Sequence, residues 1–471
     1  MKKGDELIVS ITALSSEGKG ISKLEDGFVL FVENTLPGDK AKVQILKKKS
    51  NYAECKLLEL IEKSPDRITP KCIHFGVCGG CKLQNYEYIR QIEFKTEVVR
   101  NAFIRIGGFD NINIPSAIKS ENVFYYRNKM EFSFSDDDWV DSSQPLSQVK
   151  SNFALGLHIP KFHSKILNIS NCYLQSSLSA DIVNFTRNFF KERQTSIYST
   201  RTHSGFLRFL IIRQSRNTKD FMVNLVTYDK DEKLISDYST ELIKKFPAIT
   251  TLVNSFSTKK AQIAFGDDSS VLHGKGYIYE VLYSGGKELK FKISPNSFFQ
   301  TNTKQTETLY YLVTKFTGFK DSDNVLDLYC GAGSIALYIS PLVNKVTGVE
   351  LIPDAIENAE ENAVLNGIQN ADFILSDIKD FLETKLSDGK YINYNKIILD
   401  PPRSGLHPKV SELLSELSFE KICYVSCNPV TQARDLKIIC SKDKYYIENV
   451  QPVDMFPQTY HVENVVSLSR K

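Results

Sequence analysis

The sequence has almost no charge excess, no long apolar run and no even set of cysteines, and each absence excludes a class of protein. Its 471 residues carry 59 Lys+Arg against 56 Asp+Glu, so the net charge of +3 does not indicate a nucleic-acid partner and any basic surface must be local. No stretch approaches the roughly 20 apolar residues of a membrane helix, which predicts no membrane partner. Nine cysteines are an odd number, and a disulfide scaffold is therefore not expected.

The chain also lacks a secretory pattern, internal repeats and low-complexity tracts. Asp5 and Glu6 follow Lys2 and Lys3, at a point where a signal peptide needs an apolar run. Hydrophobic residues make up 42% and charged residues 24%, which are ordinary globular values. The sequence therefore predicts a cytoplasmic protein with reduced thiols, and its length predicts about three domains.

The first predicted domain, residues 1–61, is a small β domain. It holds short runs rich in β-formers that are punctuated by glycines, a spacing typical of a five-stranded OB-like barrel. A lysine tract makes one side basic, either as a solvated face or, on an OB barrel, as a nucleic-acid surface. The tract consists of Lys40, Lys42, Lys47, Lys48 and Lys49.

The second predicted domain, residues 62–290, begins with a cysteine cluster and continues as α+β. Charged and apolar residues alternate at helical spacing between Glu87 and Ile106, and we expect this helix to pack on the C-terminal domain. Basic and aromatic residues interleave from Arg201 to Arg216, which suits RNA contact and equally suits an amphipathic sheet with a basic edge.

The third predicted domain, residues 291–471, alternates strand and helix and reads as a doubly wound α/β sheet. An apolar strand enters a turn with Gly331 and Gly333, where glycine lets the backbone approach a ligand. The next strand ends at Glu350, where a carboxylate can hold the ribose hydroxyls of a nucleoside. Three further predicted strands also end in polar residues, namely Asp377, Asp400 and Cys427. Ligands bind at this edge of open α/β sheets, so the sequence predicts a nucleoside site there.

Two enzyme classes, dehydrogenases and methyltransferases, bind a nucleoside at such a turn. A dehydrogenase would carry a third glycine where this chain has Ala336, although alanine is tolerated there. The unit Asp400-Pro401-Pro402 decides between the classes. It resembles the S-adenosylmethionine-dependent methyltransferase arrangement, in which a strand-four acid or amide followed by prolines faces the methyl group.

A thiol and a carboxylate accompany this predicted methyl-donor site. Taken singly, Cys427 could be an inert core residue and Glu463 a surface acid. Together they suit methylation of carbon 5 of uracil, because a thiolate that adds at carbon 6 activates carbon 5 and a carboxylate can then remove its proton. RNA cytosine methyltransferases carry a cysteine right after the strand-four proline, and residues 400–405 contain none.

Three more cysteines form a cluster near the start of the second domain. Five residues separate Cys72 from Cys78, and Gly79 and Gly80 separate Cys78 from Cys81. Three thiolates need a fourth ligand to complete either a zinc site or a cubane iron–sulfur cluster. His74 could complete a zinc site, whereas the single Cys-x-x-Cys unit favours iron–sulfur, so the spacing leaves both readings open.

Nearly the whole chain resembles the RNA uracil-5-methyltransferase family, specifically its 23S ribosomal RNA branch with an N-terminal TRAM domain and a 4Fe-4S cluster. The resemblance rests on residues 31–39, 78–81, 294–302, 327–333, 400–405 and 426–429. It implies S-adenosylmethionine as cofactor, Cys427 as nucleophile, Glu463 as base and Phe298 as a contact to the target nucleotide. The implied donor-site residues are Gln300, Tyr329, Glu350, Asp377 and Asp400, the last of which would also orient the uracil.

The resemblance also supplies ligands and partners. It implies Cys172 as the fourth cluster ligand, beside Cys72, Cys78 and Cys81, with a structural or RNA-positioning role. The expected partner is 23S rRNA, with tRNA as the alternative, and we expect a monomer acting on a flipped or unpaired base. An iron–sulfur oxidoreductase and an inactive RNA-binding protein are remote alternatives.

The sequence departs from the family's pattern just before the predicted base. Gln458 and Tyr460 occupy the slots where the family commonly has a histidine and a small residue, while His461, Val462 and Glu463 are intact. The remaining four cysteines have no predicted role, and they are Cys55, Cys330, Cys423 and Cys440.

Overall fold

The computed structural model describes residues 1–139, 152–160, 162–385 and 394–471. Its N-terminal sheet has six strands, one more than the sequence predicts, because residues 13 and 14 add a short edge strand. The strands are β1 (Glu6–Ser10), β2 (Ala13–Leu14), β3 (Gly20–Lys23), β4 (Val29–Val32), β5 (Lys40–Lys48) and β6 (Tyr52–Glu62). Their order in the sheet is β1-β5-β6-β4-β3-β2.

Alternation along β5 shows why this segment forms a strand. Its apolar residues Ala41, Val43 and Ile45 are buried, while the lysines between and beyond them point away from the core. Two of these lysines form ion pairs, Lys40 with Glu62 at 3.0 Å and Lys42 with Glu6 at 2.7 Å. Part of the predicted basic tract is therefore paired with local acids.

The predicted helix is present as α1 (Tyr88–Ala102), which continues into a π-helical turn over Phe103–Gly107. Val99 and Phe103 on its apolar face are fully buried in the same hydrophobic core as the C-terminal sheet. This helix therefore joins a core most of whose members lie more than 200 residues later in the chain.

α1 also carries a buried ion pair. The Lys95 ammonium contacts the Asp454 carboxylate, and both side chains are fully buried. Tyr88 donates to the same carboxylate at 2.8 Å, and Lys95 donates to the Phe456 carbonyl at 3.0 Å. Burial lowers the pKa of Lys95, while the Asp454 carboxylate opposes this shift. The ion pair and these hydrogen bonds fix residues 454–456 to α1.

The central sheet has the order β13-β12-β11-β10-β7-β8-β9, with two helices packed on it. Its strands are β7 (Lys129–Ser135), β8 (Ala154–Ile159), β9 (Phe162–Asn168), β10 (Leu207–Gln214), β11 (Phe221–Thr227), β12 (Thr251–Phe256) and β13 (Asp268–His273). The helices are α2 (Ser177–Glu192) and α3 (Glu232–Lys245). They share a phenylalanine-rich core with the sheet, and the hydroxyls of Thr186 and Tyr238 hydrogen-bond at 2.8 Å where the helices meet.

A hairpin of β14 (Ile278–Ser284) and β15 (Lys287–Ile293) follows and spans the predicted boundary at residue 290. Leu282, Leu289 and Phe291 are buried in the core of the C-terminal sheet. The hairpin therefore packs with the third predicted domain, and it leads directly into the loop that carries Phe298.

The C-terminal sheet has the order β18-β17-β16-β19-β20-β22-β21. Strands β16 to β20 are parallel, and β22 runs antiparallel to both neighbours. The strands are β16 (Asn324–Leu328), β17 (Lys345–Glu350), β18 (Ala371–Leu375), β19 (Lys396–Leu399), β20 (Lys421–Ser426), β21 (Tyr445–Val453) and β22 (Glu463–Arg470). The helices are α4 (Thr303–Thr317), α5 (Ser334–Ile339), α6 (Pro353–Leu365), α7 (Ile378–Asp380), α8 (Pro408–Glu416) and α9 (Pro429–Ile439).

Two core clusters cover the two faces of this sheet, as expected for parallel strands between helices. The predicted doubly wound architecture is confirmed, with the reversal of strand order between β16 and β19. Ligands bind at such a reversal, at the carboxyl ends of the strands. In the part of the chain that the structure describes, no helix has the length and apolar character to cross a membrane.

Candidate active site

A cleft of about 770 Å³ opens at the carboxyl ends of the parallel strands. The structure brings all eight side chains predicted for donor, nucleotide and catalytic roles into its lining. They are Phe298, Gln300, Tyr329, Glu350, Asp377, Asp400, Cys427 and Glu463. The residues located at strand ends, Glu350, Asp377, Asp400 and Cys427, therefore share one cleft with those that the resemblance implies.

The turn after β16 forms one part of the cleft. Tyr329, Gly331 and Gly333 all have positive φ, at 65°, 53° and 76°. At Gly333 a Cβ would lie 2.9 Å from the Phe373 ring, so glycine is required there by both conformation and space. No heavy atom lies within 4 Å of the Cβ position at Gly331, which leaves the backbone of this turn open toward a ligand.

Two carboxylates face this turn from the neighbouring strands. Glu350 ends β17, and its carboxylate accepts the backbone N–H of Gly331 at 3.1 Å and of Leu351 at 2.8 Å. Asp377 follows β18 and caps α7 by accepting the N–H of Lys379 at 2.9 Å. Both acids are oriented by backbone donors, so their position does not depend on a bound ligand.

Cys427 lies in the sharp connection between β20 and α9. Asn428 caps the helix by accepting the Val430 N–H at 3.1 Å, and Pro429 occupies the first helical position, where proline is favoured. Burial, and next the Glu463 carboxylate, raises the pKa of the Cys427 thiol to about 11. The nearby Arg403 guanidinium acts in the opposite direction.

Glu463 is the first residue of β22 and is only 5% exposed. Burial, together with the nearby Asp400 carboxylate, raises the pKa of Glu463 well above its usual value, and Arg403 opposes the shift. Burial also raises the pKa of Asp400 to about 7. A carboxyl group perturbed in this way is suited to exchanging a proton near neutral pH.

Among the residues that the sequence analysis assigned no role, Arg403 and Phe456 line the cleft. Arg403 lies near the Cys427 thiol, and its guanidinium is 3.5 Å from the His461 imidazole. Burial, and then the charges of Arg403 and Lys95, lowers the pKa of His461 to about 4, so this imidazole is neutral at physiological pH. Arg403 follows the Asp-Pro-Pro unit directly, and the adjacency of strands β19 and β20 was the signal that could have placed it beside Cys427.

The loop between β15 and α4 presents Phe298 to solvent with 70% of its side chain exposed. Arg213, which is 3% exposed, anchors this loop by donating to the carbonyls of Pro295 at 3.1 Å and Ser297 at 2.6 Å. An exposed aromatic ring on an anchored loop is suited to stacking against a nucleotide base.

The predicted basic–aromatic segment, residues 201–216, is less available to RNA than its composition indicates. Arg208 is 2% exposed, and its guanidinium donates to the carbonyls of Ser257 at 2.6 Å and Ala261 at 2.7 Å. Arg213 is buried in the same manner. These two arginines are therefore explained by their packing within the amphipathic sheet rather than by contact with RNA.

A second, much smaller cavity, of about 20 Å³, is lined by the four predicted cluster cysteines, Cys72, Cys78, Cys81 and Cys172. Gly79 packs so closely that a Cβ would lie 2.7 Å from the His158 carbonyl oxygen. The Gly80 N–H points at the Cys78 sulfur, 3.4 Å away. The two glycines thus let the chain wrap tightly beside the thiols.

The same cavity bears on the choice between zinc and a cluster. Among the described residues, no three His, Cys, Asp or Glu side chains converge closely enough to hold one metal ion. The Nε2 atom of His74 accepts the Ser170 N–H at 3.2 Å and lies 3.1 Å from the Ser170 hydroxyl. Four thiols around one cavity can supply all the ligands of either a zinc ion or a cluster, so His74, whose Nε2 atom is engaged by Ser170, is not needed as a fourth ligand.

Comparisons with known proteins agree over the full length of the chain. The TRAM domain family matches residues 1–58, and the tRNA (uracil-5-)-methyltransferase family matches residues 212–471. A protein named an uncharacterized RNA methyltransferase from Chlorobaculum tepidum is 39% identical, over 100% of this chain and 97% of its own. A second protein so named, from Bacteroides thetaiotaomicron, is also 39% identical, over 97% and 99%.

A solved structure extends this similarity to the fold. The tRNA (uracil-54, C5)-methyltransferase of Pyrococcus abyssi, in complex with S-adenosyl-L-homocysteine, superposes with a TM-score of 0.74 at 26% identity, covering 98% of this chain and 100% of that one. The predicted fold class, with its TRAM domain and methyltransferase sheet, is thereby confirmed. The chain belongs to the tRNA (uracil-5-)-methyltransferase family and carries an N-terminal TRAM domain.

Proposed function

We propose that this protein transfers a methyl group from S-adenosylmethionine to carbon 5 of a uridine in RNA, through a transient bond between Cys427 and carbon 6 of the base. The observation that carries the proposal is one cleft that holds a thiol and a buried carboxyl group, Cys427 and Glu463, together with Glu350 and Asp377 beside a glycine turn. Membership of the family supports the same reaction class.

The residues of the cleft fit S-adenosylmethionine. Glu350 would accept hydrogen bonds from the ribose hydroxyls, and the open backbone at Gly331 leaves room for the nucleoside. Tyr329, Asp377 and Gln300 would complete the lining. When bound there, S-adenosylmethionine supplies an electrophilic methyl group.

The protein's own groups carry the remaining chemistry. The Cys427 thiolate adds to carbon 6, and the electrons of the carbon 5–carbon 6 double bond move toward the carbonyl oxygen at carbon 4, which makes carbon 5 nucleophilic. After carbon 5 has gained the methyl group, the Glu463 carboxylate removes the proton from that carbon. The released electron pair restores the double bond, the carbon–sulfur bond breaks, and the thiolate returns to Cys427. Arg403 would favour the thiolate at both ends of this cycle.

We propose 23S rRNA as the substrate, on the resemblance of the sequence to the ribosomal branch of the family and its cysteine cluster. Transfer RNA is the second candidate, because the chain matches a tRNA (uracil-54, C5)-methyltransferase over 98% of its length. For either RNA the target base must leave its stack to reach Cys427, and the exposed Phe298 ring would contact it.

Methylation of RNA from a strain that lacks this gene tests the proposal. We expect purified protein and methyl-labelled S-adenosylmethionine to produce labelled 5-methyluridine in 23S rRNA, with tRNA from the same strain as the comparison. Labelled 5-methyluridine found in tRNA alone would show that tRNA is the substrate, and it would still support the proposed reaction. Label in 5-methylcytidine, or no label in either RNA, would refute the proposed reaction.

We further propose that Cys72, Cys78, Cys81 and Cys172 hold a 4Fe-4S cluster. The four thiols that line one cavity support this proposal. The methyl transfer derived above needs no electron, so the cluster would hold the chain segment of residues 72–81 against β8 and residue 172. Its role would then be structural.

Purification without oxygen tests the cluster. We expect brown protein with a visible thiolate-to-iron absorption band and equal amounts of iron and acid-labile sulfide. Cys172→Ala should lose the band, because it removes one of the four ligands, while Cys440→Ala, outside the cavity, should keep it. Colourless protein that contains zinc would contradict the assignment.

A further inference from the structure

The connection between β21 and β22 leads directly to Glu463, and we call its residues 454–462 the base loop. Gln458, in the middle of this loop, has a left-handed backbone with φ of 69° and is 4% exposed. This conformation is unfavourable for any residue with a Cβ, so neighbouring contacts must hold it in place.

Those contacts come from α1 and from the segment just before it. The Gln458 carbonyl accepts two backbone N–H groups, from Lys82 at 2.9 Å and Leu83 at 3.0 Å. Its own N–H donates to the Gln91 side-chain oxygen at 3.1 Å, and the two side-chain amides meet again at 3.1 Å. Gln458 is thus held through its backbone donor, its backbone acceptor and its side chain.

Gln91 is itself fixed from the other side. It is fully buried, and its amide nitrogen donates to the carbonyls of Leu83 and Tyr86, both at 2.9 Å. A buried amide whose donors and acceptor are all engaged has no alternative position of equal energy. The base loop is therefore held by a rigid partner.

The partner segment is continuous with the cysteine cluster. Lys82 and Leu83 directly follow Cys81, and the Gln84 side chain accepts the Cys72 N–H at 3.1 Å. A displacement of Cys81 would move the two N–H groups that hold the Gln458 carbonyl. The cavity of the four thiols and the cleft with Glu463 are thereby connected through a few hydrogen bonds.

We propose that Gln458 and Gln91 are positioning residues for the Glu463 carboxylate, and that the cysteine-rich segment holds the base loop in place through Lys82 and Leu83. This inference rests on the proposed function, because it takes Glu463 as the base. A misplaced base slows proton removal and leaves the earlier bond between Cys427 and the RNA intact. The cysteine-rich segment would therefore affect one step of the reaction, the removal of the proton from carbon 5.

Gln91→Ala tests the positioning role, with Thr96→Ala as the matched control on the same helix. Thr96 is also buried and hydrogen-bonded, but its hydroxyl donates to Ile92 and accepts from Ala117, away from the base loop. We expect Gln91→Ala to lower turnover by about 10- to 100-fold, the loss typical of a catalytic group displaced by an ångström. A methylated enzyme–RNA adduct, stable in denaturing gels, should accumulate with uridine RNA for Gln91→Ala and not for Thr96→Ala.

Gln458→Gly is the second variant, since glycine accepts the left-handed backbone and the protein should fold. It removes only the side-chain contact, and we expect the same adduct with a smaller loss of turnover, about 10-fold. Normal turnover in both variants, or a loss without adduct accumulation, would overturn the positioning role. Absence of any adduct between wild-type protein and 5-fluorouridine RNA would instead refute the proposed function, and this inference with it.

Hydrogen exchange gives a readout that does not depend on turnover. Cys81→Ala is expected to accelerate amide exchange in residues 454–462 as well as around residue 81, whereas Cys440→Ala, at the end of α9, should affect neither segment. Unchanged protection of the base loop in Cys81→Ala would contradict the connection between the cluster and the base.

Discussion

Replacing Cys427 with alanine should abolish both methyl transfer and the covalent complex with RNA. Without the sulfur, carbon 5 of uracil is too weak a nucleophile to take the methyl group at a useful rate. We expect a loss of at least about 10⁴-fold, the scale on which removal of a nucleophile acts in enzymes that form covalent intermediates. The variant should fold, because the side chain is small and lies at the cleft rather than in the core.

RNA that contains 5-fluorouridine provides the measurement. Fluorine cannot leave carbon 5 as a proton does, so wild-type protein and S-adenosylmethionine should form a methylated complex that persists in a denaturing gel. Cys440→Ala is the matched control, since it removes a thiol that packs against the core away from the cleft. An equal amount of complex from Cys427→Ala and wild-type protein would show that another group is the nucleophile.

Replacing Glu463 with glutamine should stop the reaction one step later. The amide has nearly the same shape but cannot take a proton, so we expect turnover to fall by about 10²- to 10⁴-fold, the range for loss of general base catalysis. The complex between Cys427 and methylated uracil should then accumulate with ordinary uridine RNA. Glu448→Gln, on the neighbouring strand and paired with Lys421, should behave like the wild type.

The pH dependence follows from the same two groups. Burial raises the pKa of both Glu463 and Cys427, and each must lose its proton to act, so activity should rise with pH across the neutral range. Each group should cost about tenfold in the fraction of active protein for every pH unit below its own pKa, so the loss reaches about a hundredfold per unit below both, which a profile of kcat/KM would record. In Glu463→Gln the part of the profile that belongs to the base should disappear. A wild-type profile that falls with rising pH would contradict both assignments.

Four of the predicted cleft residues, Glu350, Asp377, Asp400 and Cys427, could be located from the sequence because each follows a short predicted strand, whereas Phe298, Gln300 and Tyr329 needed the family resemblance. In a parallel sheet the carboxyl ends of neighbouring strands share one edge, so strand order alone brings Glu350, Asp400 and Cys427 together. The cysteine set needed the family resemblance, since Cys172 lies far from Cys81 in the chain and no spacing rule connects them.

Contacts between distant residues could not be predicted in the same way. Gln91 and Gln458 lie 367 residues apart, and nothing in the local pattern of either segment indicates that they meet. Arg208 and Arg213 show the opposite failure. Their local composition suggests an RNA surface. In the structure both guanidinium groups are buried and donate to backbone carbonyls, and this tertiary packing cannot be predicted from the spacing of residue types in the sequence.

The packing of α1 on the C-terminal sheet means that the catalytic region of this protein depends on a helix from far earlier in the chain. A fragment that began at residue 291 would keep every side chain of the cleft, but it would lose the ion pair between Lys95 and Asp454 and the apolar side chains of α1 that complete the core. During synthesis, α1 leaves the ribosome long before its partner residues exist. The apolar face of α1 therefore has no packing partner until the last strands of the chain have been synthesised. The catalytic core can be completed only when translation is nearly finished.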